Sequence, residues 1–350
     1  MIYQYLYCIL ILISCCIITT TTSRAEQDVI DDVMSNGKWS NIGTRAYPYK
    51  SHKFNYGQEN REIYNWTYST ECKNSVKNVG QSYIWRSNSP IALNTFNRAE
   101  ACRMLDRKHI LIVGDSISNQ FYITLLFMMW TEDDNKIPSH ALNGRWPQTI
   151  SVNCLKDHFF LVTYVRNYHL TAETTDQSKY RQVERAWIHL IAKKDGLLSK
   201  INRTIAIFNK GAHFDKEYYY ISKLRKTFDE ISQKYHHMIN KKQLRVIFRD
   251  TVSGVHYYLQ YFKSTPLTER LDFNLSVLEK HWGWDRFGIE NNLTRNLIET
   301  EFPWVTYMNV SYSASLRLDS SHDGLHVCIP GPMDHWIMKF IEVINIWNLV

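Results

Sequence analysis

His109-Ile-Leu-Ile-Val-Gly114-Asp115-Ser116-Ile117-Ser-Asn119-Gln120-Phe121 is the stretch on which the fold turns. Four apolar residues follow His109 and stop at a glycine. With no polar alternation they read as a strand buried on both faces, as strands of parallel sheets do. Gly114 permits a tight turn, and the residues from Ile117 to Trp130 read as a helix. A strand, a turn and a helix in that order place Ser116 at the carboxyl edge of a sheet. There it lies at a helix N-terminus, where backbone N–H groups favour developing negative charge. Asp and Ser are also ordinary helix-capping residues, so the tripeptide alone is compatible with a purely structural turn.

The alternation continues outward from this segment. Further strand-like runs are Phe159–Val165, Thr204–Phe208, Leu244–Phe248 and Val305–Val310, and helical patterns cover 94–106, 217–240 and 333–347. The last helix has the clearest period, with Ile337, Phe340, Ile341, Ile344 and Trp347 recurring behind Pro332. Strands separated by helices predict an α/β fold, a three-layer α/β/α sandwich around a parallel sheet, over residues 96–350. Residues 26–95 are polar and aromatic, with Trp39, Trp66 and Trp85, and read as an irregular extension packed on that domain.

Residues 1–25 set the expected compartment. The first 23 residues carry no charged side chain, Leu6 to Ile18 is apolar, and Ser23-Arg24-Ala25 suits a signal-peptidase site. The reading is a signal peptide cleaved after Ala25, with a signal anchor as the alternative and membrane attachment only in that case. Cys8, Cys15 and Cys16 lie in this leader, which leaves Cys72, Cys102, Cys154 and Cys328 to pair in an oxidising lumen in any of three connectivities. Sequons at Asn65, Asn202, Asn274, Asn292 and Asn309 agree with a secreted or Golgi/ER-lumenal protein. The formal charge of +7 is a mild excess. The basic clusters at 223–226 and 241–245 are broken by apolar residues and read as solvated faces, so nucleic acid is not an expected partner.

Near the C-terminus, Asp323-Gly-Leu-His326 supplies the two residue types that a serine nucleophile needs: a base to take its proton and a carboxylate to orient that base. His322, Asp323, His326 and Cys328 also suit a metal, which would make the protein a metal-dependent hydrolase. After the strand ending at Phe208, Asn209-Lys-Gly211-Ala-His213 reads either as an ordinary turn or as an oxyanion loop, with the Gly211 N–H and the Asn209 amide as donors. After the strand ending at Phe248, Arg249 and His256 either line the substrate cleft or are solvated.

Taken together, the Gly-Asp-Ser turn, the Asn-x-Gly-x-His loop, the Phe-Arg…His segment and Asn309-Val-Ser…Arg317…Asp323-Gly-Leu-His326-Val-Cys-Ile-Pro-Gly resemble the PC-esterase and trichome birefringence-like group of SGNH (GDSL-type) hydrolases, over roughly 85–347. Trp39 in Gly37-Lys-Trp and Trp85-Arg86 extend the likeness. The resemblance implies a flavodoxin-like sheet and O-acetyl transfer to, or removal from, glycans in the secretory pathway. Ser116 would be the nucleophile, with Asp323 and His326 as its partners. Asn209 and Gly211 would hold the oxyanion, and Asn119, Gln120, His213, Arg249 and His256 would meet substrate. No cofactor or metal is implied. The acyl donor, such as an acetyl ester or acetyl-CoA, is a substrate, and the acceptor is a glycan or another hydroxyl-bearing molecule. The chain departs from the plant-type pattern at Asn119, where that pattern has Arg, and at Gly324, where it has Cys. Gln120 matches animal-type branches better. A catalytically silent glycan-binding or cell-surface protein with this fold is the alternative from another class.

Overall fold

The computed structural model describes residues 24–42, 83–130, 148–170, 172, 186–192, 196–210, 217–252, 254, 265–268, 284–321, 324–329 and 331–349. In chain order the elements are α1 (24–35), β1 (Gly37–Asn41), β2 (Tyr83–Ser87), α2 (Arg98–Leu105), β3 (Lys108–Gly114), α3 (Ser116–Met129), β4 (Gln148–Leu155), β5 (His158–Arg166), β6 (Arg203–Phe208), α4 (Glu217–Asn240), β7 (Leu244–Arg249), α5 (Phe287–Glu301), β8 (Val305–Met308), α6 (Ser311–Ala314) and α7 (Pro332–Leu349). Among the described residues six strands form one sheet in the order β4-β5-β3-β6-β7-β8. All neighbours are parallel except β4, which runs antiparallel along β5. The parallel strands thus lie in chain order 2-1-3-4-5, the flavodoxin-like arrangement, and the chain reverses its direction of winding between β3 and β6. The crevice at the carboxyl ends of those two strands is where this topology leaves room for a ligand.

Alternate residues of the central strands feed two separate cores. Ile110, Ile112, Ile205, Ile207 and Ile247 pack with α2, α3 and α7 on one face. Leu111, Val113, Ala206, Phe208, Val246 and Phe248 pack with α4 and α5 on the other. Each of these side chains except Ala206 contributes roughly 1.5–3 kcal/mol when taken out of water, so register in the sheet is strongly specified.

Several elements depart from the sequence expectation. The antiparallel edge strand β4 and the helix α5 were not anticipated. The extension is also not irregular where it is described: 24–35 is helical, and β1 pairs with β2 in a two-stranded antiparallel sheet. Helix α7 explains what α1 does. The period of α7 predicts one buried stripe, yet His335, Lys339 and Glu342 on its other side are buried too. Helix α1 covers that side: the Lys339 ammonium donates to the Val33 carbonyl (2.8 Å) and pairs with Glu342 (2.7 Å). Gln27 exchanges two hydrogen bonds with the backbone of Tyr307 on β8 (2.8 and 2.9 Å), while Glu26 and Asp31 pair with Arg245 and Arg295. Trp39 and Trp85 then close around the His335 ring, at centroid distances of 5.2 and 5.7 Å.

Candidate active site

The turn after β3 is built by its own side chains. Asp115 is the N-cap of α3, and its Oδ1 accepts from the N–H groups of Ile117 (2.9 Å) and Ser118 (3.3 Å). The first donor of the helix not taken by this cap is the Ser116 N–H. Gly114 is required by close approach, since a Cβ there would collide with the Ser118 side chain and crowd the Asn209 carbonyl. On the neighbouring strand the Tyr164 hydroxyl donates to the Asp115 carbonyl (2.8 Å) and reaches that of Gly114 (3.3 Å). Sequence reading missed Tyr164, because an inward tyrosine on a buried strand looks like core.

Ser116 therefore occupies the first position of α3, 4 % exposed, with its Oγ 2.8 Å from Nε2 of the half-buried His326. The fold brings these two residues together from positions 210 apart in the chain. The loop that delivers His326 is closed on itself. Ser321 Oγ accepts from the Gly324 N–H (2.9 Å) and donates to the His326 carbonyl (3.0 Å), and Cys328 N–H donates to the Ser320 carbonyl (2.7 Å). Gly324 adopts φ +91°, a left-handed conformation that favours glycine, so its departure from the cysteine-bearing pattern has a backbone reason. Below the loop, Arg317 and Asp319 form a wholly buried pair (2.9 Å), with Arg317 stacked on Trp39 at 4.5 Å. The β1–β2 arm thus packs against the foundation of the histidine loop.

Several expected site residues do other work. Asn209 is buried, and both hydrogens of its amide are committed, to the Arg249 carbonyl (2.9 Å) and to Thr251 Oγ1 (2.8 Å). It ties the end of β6 to the end of β7, and its side chain is not an oxyanion donor. Arg249 is 1 % exposed and does not line the cleft. It donates to the Asp250 carbonyl (2.8 Å) and Ser118 Oγ (3.3 Å), and it lies over Trp336. Burial pulls the pKa of its guanidinium down, while Asp115 and Asp250 act in the opposite direction. Gln120 is likewise buried, and it binds the backbone of Val327 rather than facing the cleft. Asn119 is buried one turn beyond Ser116. Asp323, Gly211, His213, His256 and His322 lie outside the described residues.

Asp250 is a further residue without a sequence signal. Its Oδ1 accepts from the N–H groups of Val310 (2.8 Å) and Ser311 (2.9 Å), holding the segment that leads toward Arg317. Burial raises its pKa to about 6, against those bonds and the Arg249 charge. Cys102 and Cys154 form a disulfide between α2 and β4, which selects one of the three possible connectivities. Cys328 is also disulfide-bonded, which removes its thiolate as a metal ligand. Cys72 lies outside the described residues.

Residues 93–272 match the PC-Esterase family, described as a GDSL/SGNH-like acyl-esterase family found in Pmr5 and Cas1p. The chain belongs to that family. The match spans just over half of the sequence and includes Ser116, but it ends before His326, so the pairing of the two rests on the geometry above. A structural likeness extends to the periplasmic domain of a lipopolysaccharide acetyltransferase from Salmonella ser. Paratyphi A, at 13 % identity, 81 % coverage of this chain, 96 % of that one and a TM-score of 0.38. A likeness this loose says nothing of function. No curated protein matches the chain. As a PC-Esterase, the chain carries the acyl-ester chemistry of its family. Among the described residues no helix is long and apolar enough to cross a membrane.

Proposed function

We propose that this PC-Esterase uses a serine nucleophile for O-acetyl transfer to, or ester hydrolysis on, a glycan in the secretory pathway. The observation that carries the reading is the Ser116 Oγ–His326 Nε2 contact of 2.8 Å at the carboxyl edge of the sheet. His326 takes the Ser116 proton as Oγ attacks the acyl carbonyl, and the ring is held for this by its closed loop. Asp323, three residues before His326, is assigned the orienting carboxylate. The tetrahedral oxyanion is stabilised by the Ser116 N–H at the start of α3 and by the Gly211 N–H. Collapse expels the donor alcohol or thiol, which takes the proton from His326, and leaves an acyl-Ser116 ester. Water or an acceptor hydroxyl then gives its proton to His326 and attacks that ester, and collapse releases the acyl product as Ser116 Oγ leaves and takes the proton back from His326. Secretion with the leader removed after Ala25 agrees with the Cys102–Cys154 disulfide and with the exposure of Arg24 and Ala25, packing beginning at Glu26.

The test is incubation of the purified protein and its Ser116→Ala variant with an activated acetyl ester, followed by intact mass and turnover. An adduct of about 42 Da, or hydrolysis, that requires Ser116 supports the acyl-enzyme. Equal turnover by the folded Ser116→Ala variant overturns it. Silence in both proteins moves the reading to glycan binding without catalysis.

A further inference from the structure

Val327, the residue after His326, is buried and sits in an isolated antiparallel bridge opposite Ser321. The hydrogen bond beside that bridge runs from Cys328 N–H to the Ser320 carbonyl, which makes Ser321 and Val327 its non-hydrogen-bonded pair. The N–H and C=O of Val327 consequently point away from Ser321 and require another partner. Gln120 satisfies both: its Nε2 donates to the Val327 carbonyl (2.9 Å), and its Oε1 accepts from the Val327 N–H (3.3 Å). It acts as a one-residue strand, completing the outer edge of the loop.

Gln120 lies four residues after Ser116 on α3, hence on the same face of the helix. We propose that Gln120 is a positioning residue for the acyl-transfer reaction, fixing the loop that carries His326 to the helix that carries Ser116 so that base and nucleophile share one rigid frame. The inference rests on the Ser116–His326 reading above. The chemistry of the side chain fits the task, since a primary amide donates and accepts at once. An ionised carboxylate of the same length would keep the bond from the Val327 N–H but turn a negative charge on the Val327 carbonyl. A loop cut loose on this side lets the imidazole drift, and a displacement of about 1 Å at such a contact lowers turnover by about 100-fold.

The test compares wild type with Gln120→Met, which keeps the length and makes neither bond, and with Gln120→Glu, with Ser116→Ala as the blank. The readouts are p-nitrophenyl acetate hydrolysis across pH, thermal stability and hydrogen exchange of the Val327 amide. In Gln120→Met we expect kcat to fall about 10- to 100-fold with KM within about twofold, and the Val327 amide to exchange faster in a folded protein. In Gln120→Glu the activity relative to wild type rises as pH falls, because the protonated carboxyl regains the missing donor. Wild-type kcat in folded Gln120→Met overturns the proposal. So does a raised KM at unchanged kcat, which is the signature of a residue that lines the cleft. If the Ser116→Ala blank is as active as wild type, or neither turns over, the catalytic reading fails separately. The Val327 amide then decides the tether, with unchanged protection in Gln120→Met overturning it.

Discussion

Residues 114–118 and residues 317–328 meet at the Ser116–His326 contact, but they draw on outside support to different extents. The serine turn starts from its own residues, since Asp115 caps the helix that begins one residue later, and only the two strands beside β3 add to it, through Tyr164 on β5 and Asn209 after β6. The histidine loop is held largely from elsewhere. Trp39 of the N-terminal arm stacks on Arg317, Gln120 of α3 binds Val327, and Asp250 at the end of β7 caps the α6 segment. A nucleophile can be encoded in a dozen consecutive residues, whereas its base is placed by the whole molecule. The two halves should therefore respond differently to substitution.

The largest effect tests their convergence. His326→Ala should lower kcat for an activated acetyl ester by about 10⁴-fold or more with little change in thermal stability, as for residues that act as a unit with a serine. A loss as small as tenfold would break the pairing. Next comes the foundation of the loop. Arg317→Leu leaves Asp319 buried and uncompensated, so unfolding free energy should drop by about 3–5 kcal/mol in denaturant titration, with turnover falling alongside.

The third prediction sets the two halves apart by pH. The folded pKa of Asp250, about 6, lies above its ordinary value of 3.8, so the folded protein binds the proton more tightly than the unfolded chain. That stabilisation is complete below about pH 4 and is lost as pH rises through about 6. Asp250→Asn keeps an acceptor for Val310 and Ser311 without titrating. Its stability relative to wild type should climb by roughly 2–3 kcal/mol between pH 4 and pH 6 and then level off, read as the difference in denaturation midpoints. A flat difference would remove Asp250 from the titrating foundation of the loop. The smallest effect falls on the serine turn: Gly114→Ala should cost about 1–3 kcal/mol through overpacking against Ser118, without a pH-dependent component.

This contrast also explains what the sequence made legible. The buried run from His109 to Val113, the turn at Gly114 and the helix after it declare themselves locally, and so does the five-strand parallel core. The edge strand β4 did not, because Gln148–Leu155 mixes polar and apolar residues and owes its place to pairing with β5. Helix α1 did not either, since its buried residues Ile30, Val33 and Met34 make too short a stripe to separate from an extension. Ser116 and His326 were readable from motif and spacing. The work of Asn209, Arg249 and Gln120 was not, because an amide or guanidinium at the end of a strand, or an amide in the first turns of a helix, looks the same in sequence whether it faces a substrate or a neighbouring carbonyl.

The grip of Gln27 on Tyr307 bears on how the chain is handled in the laboratory. Strand β8 lies at the rim of the sheet, and Gln27 occupies both backbone groups of Tyr307 on the side away from β7. A fragment begun at residue 93, where the family match starts, would leave the N–H and carbonyl of Tyr307 unmet at that rim, an open edge that a second molecule could pair with. Its failure in solution would look like clumping, and the cause would be the missing twelve-residue helix and the β1–β2 arm rather than a faulty catalytic domain.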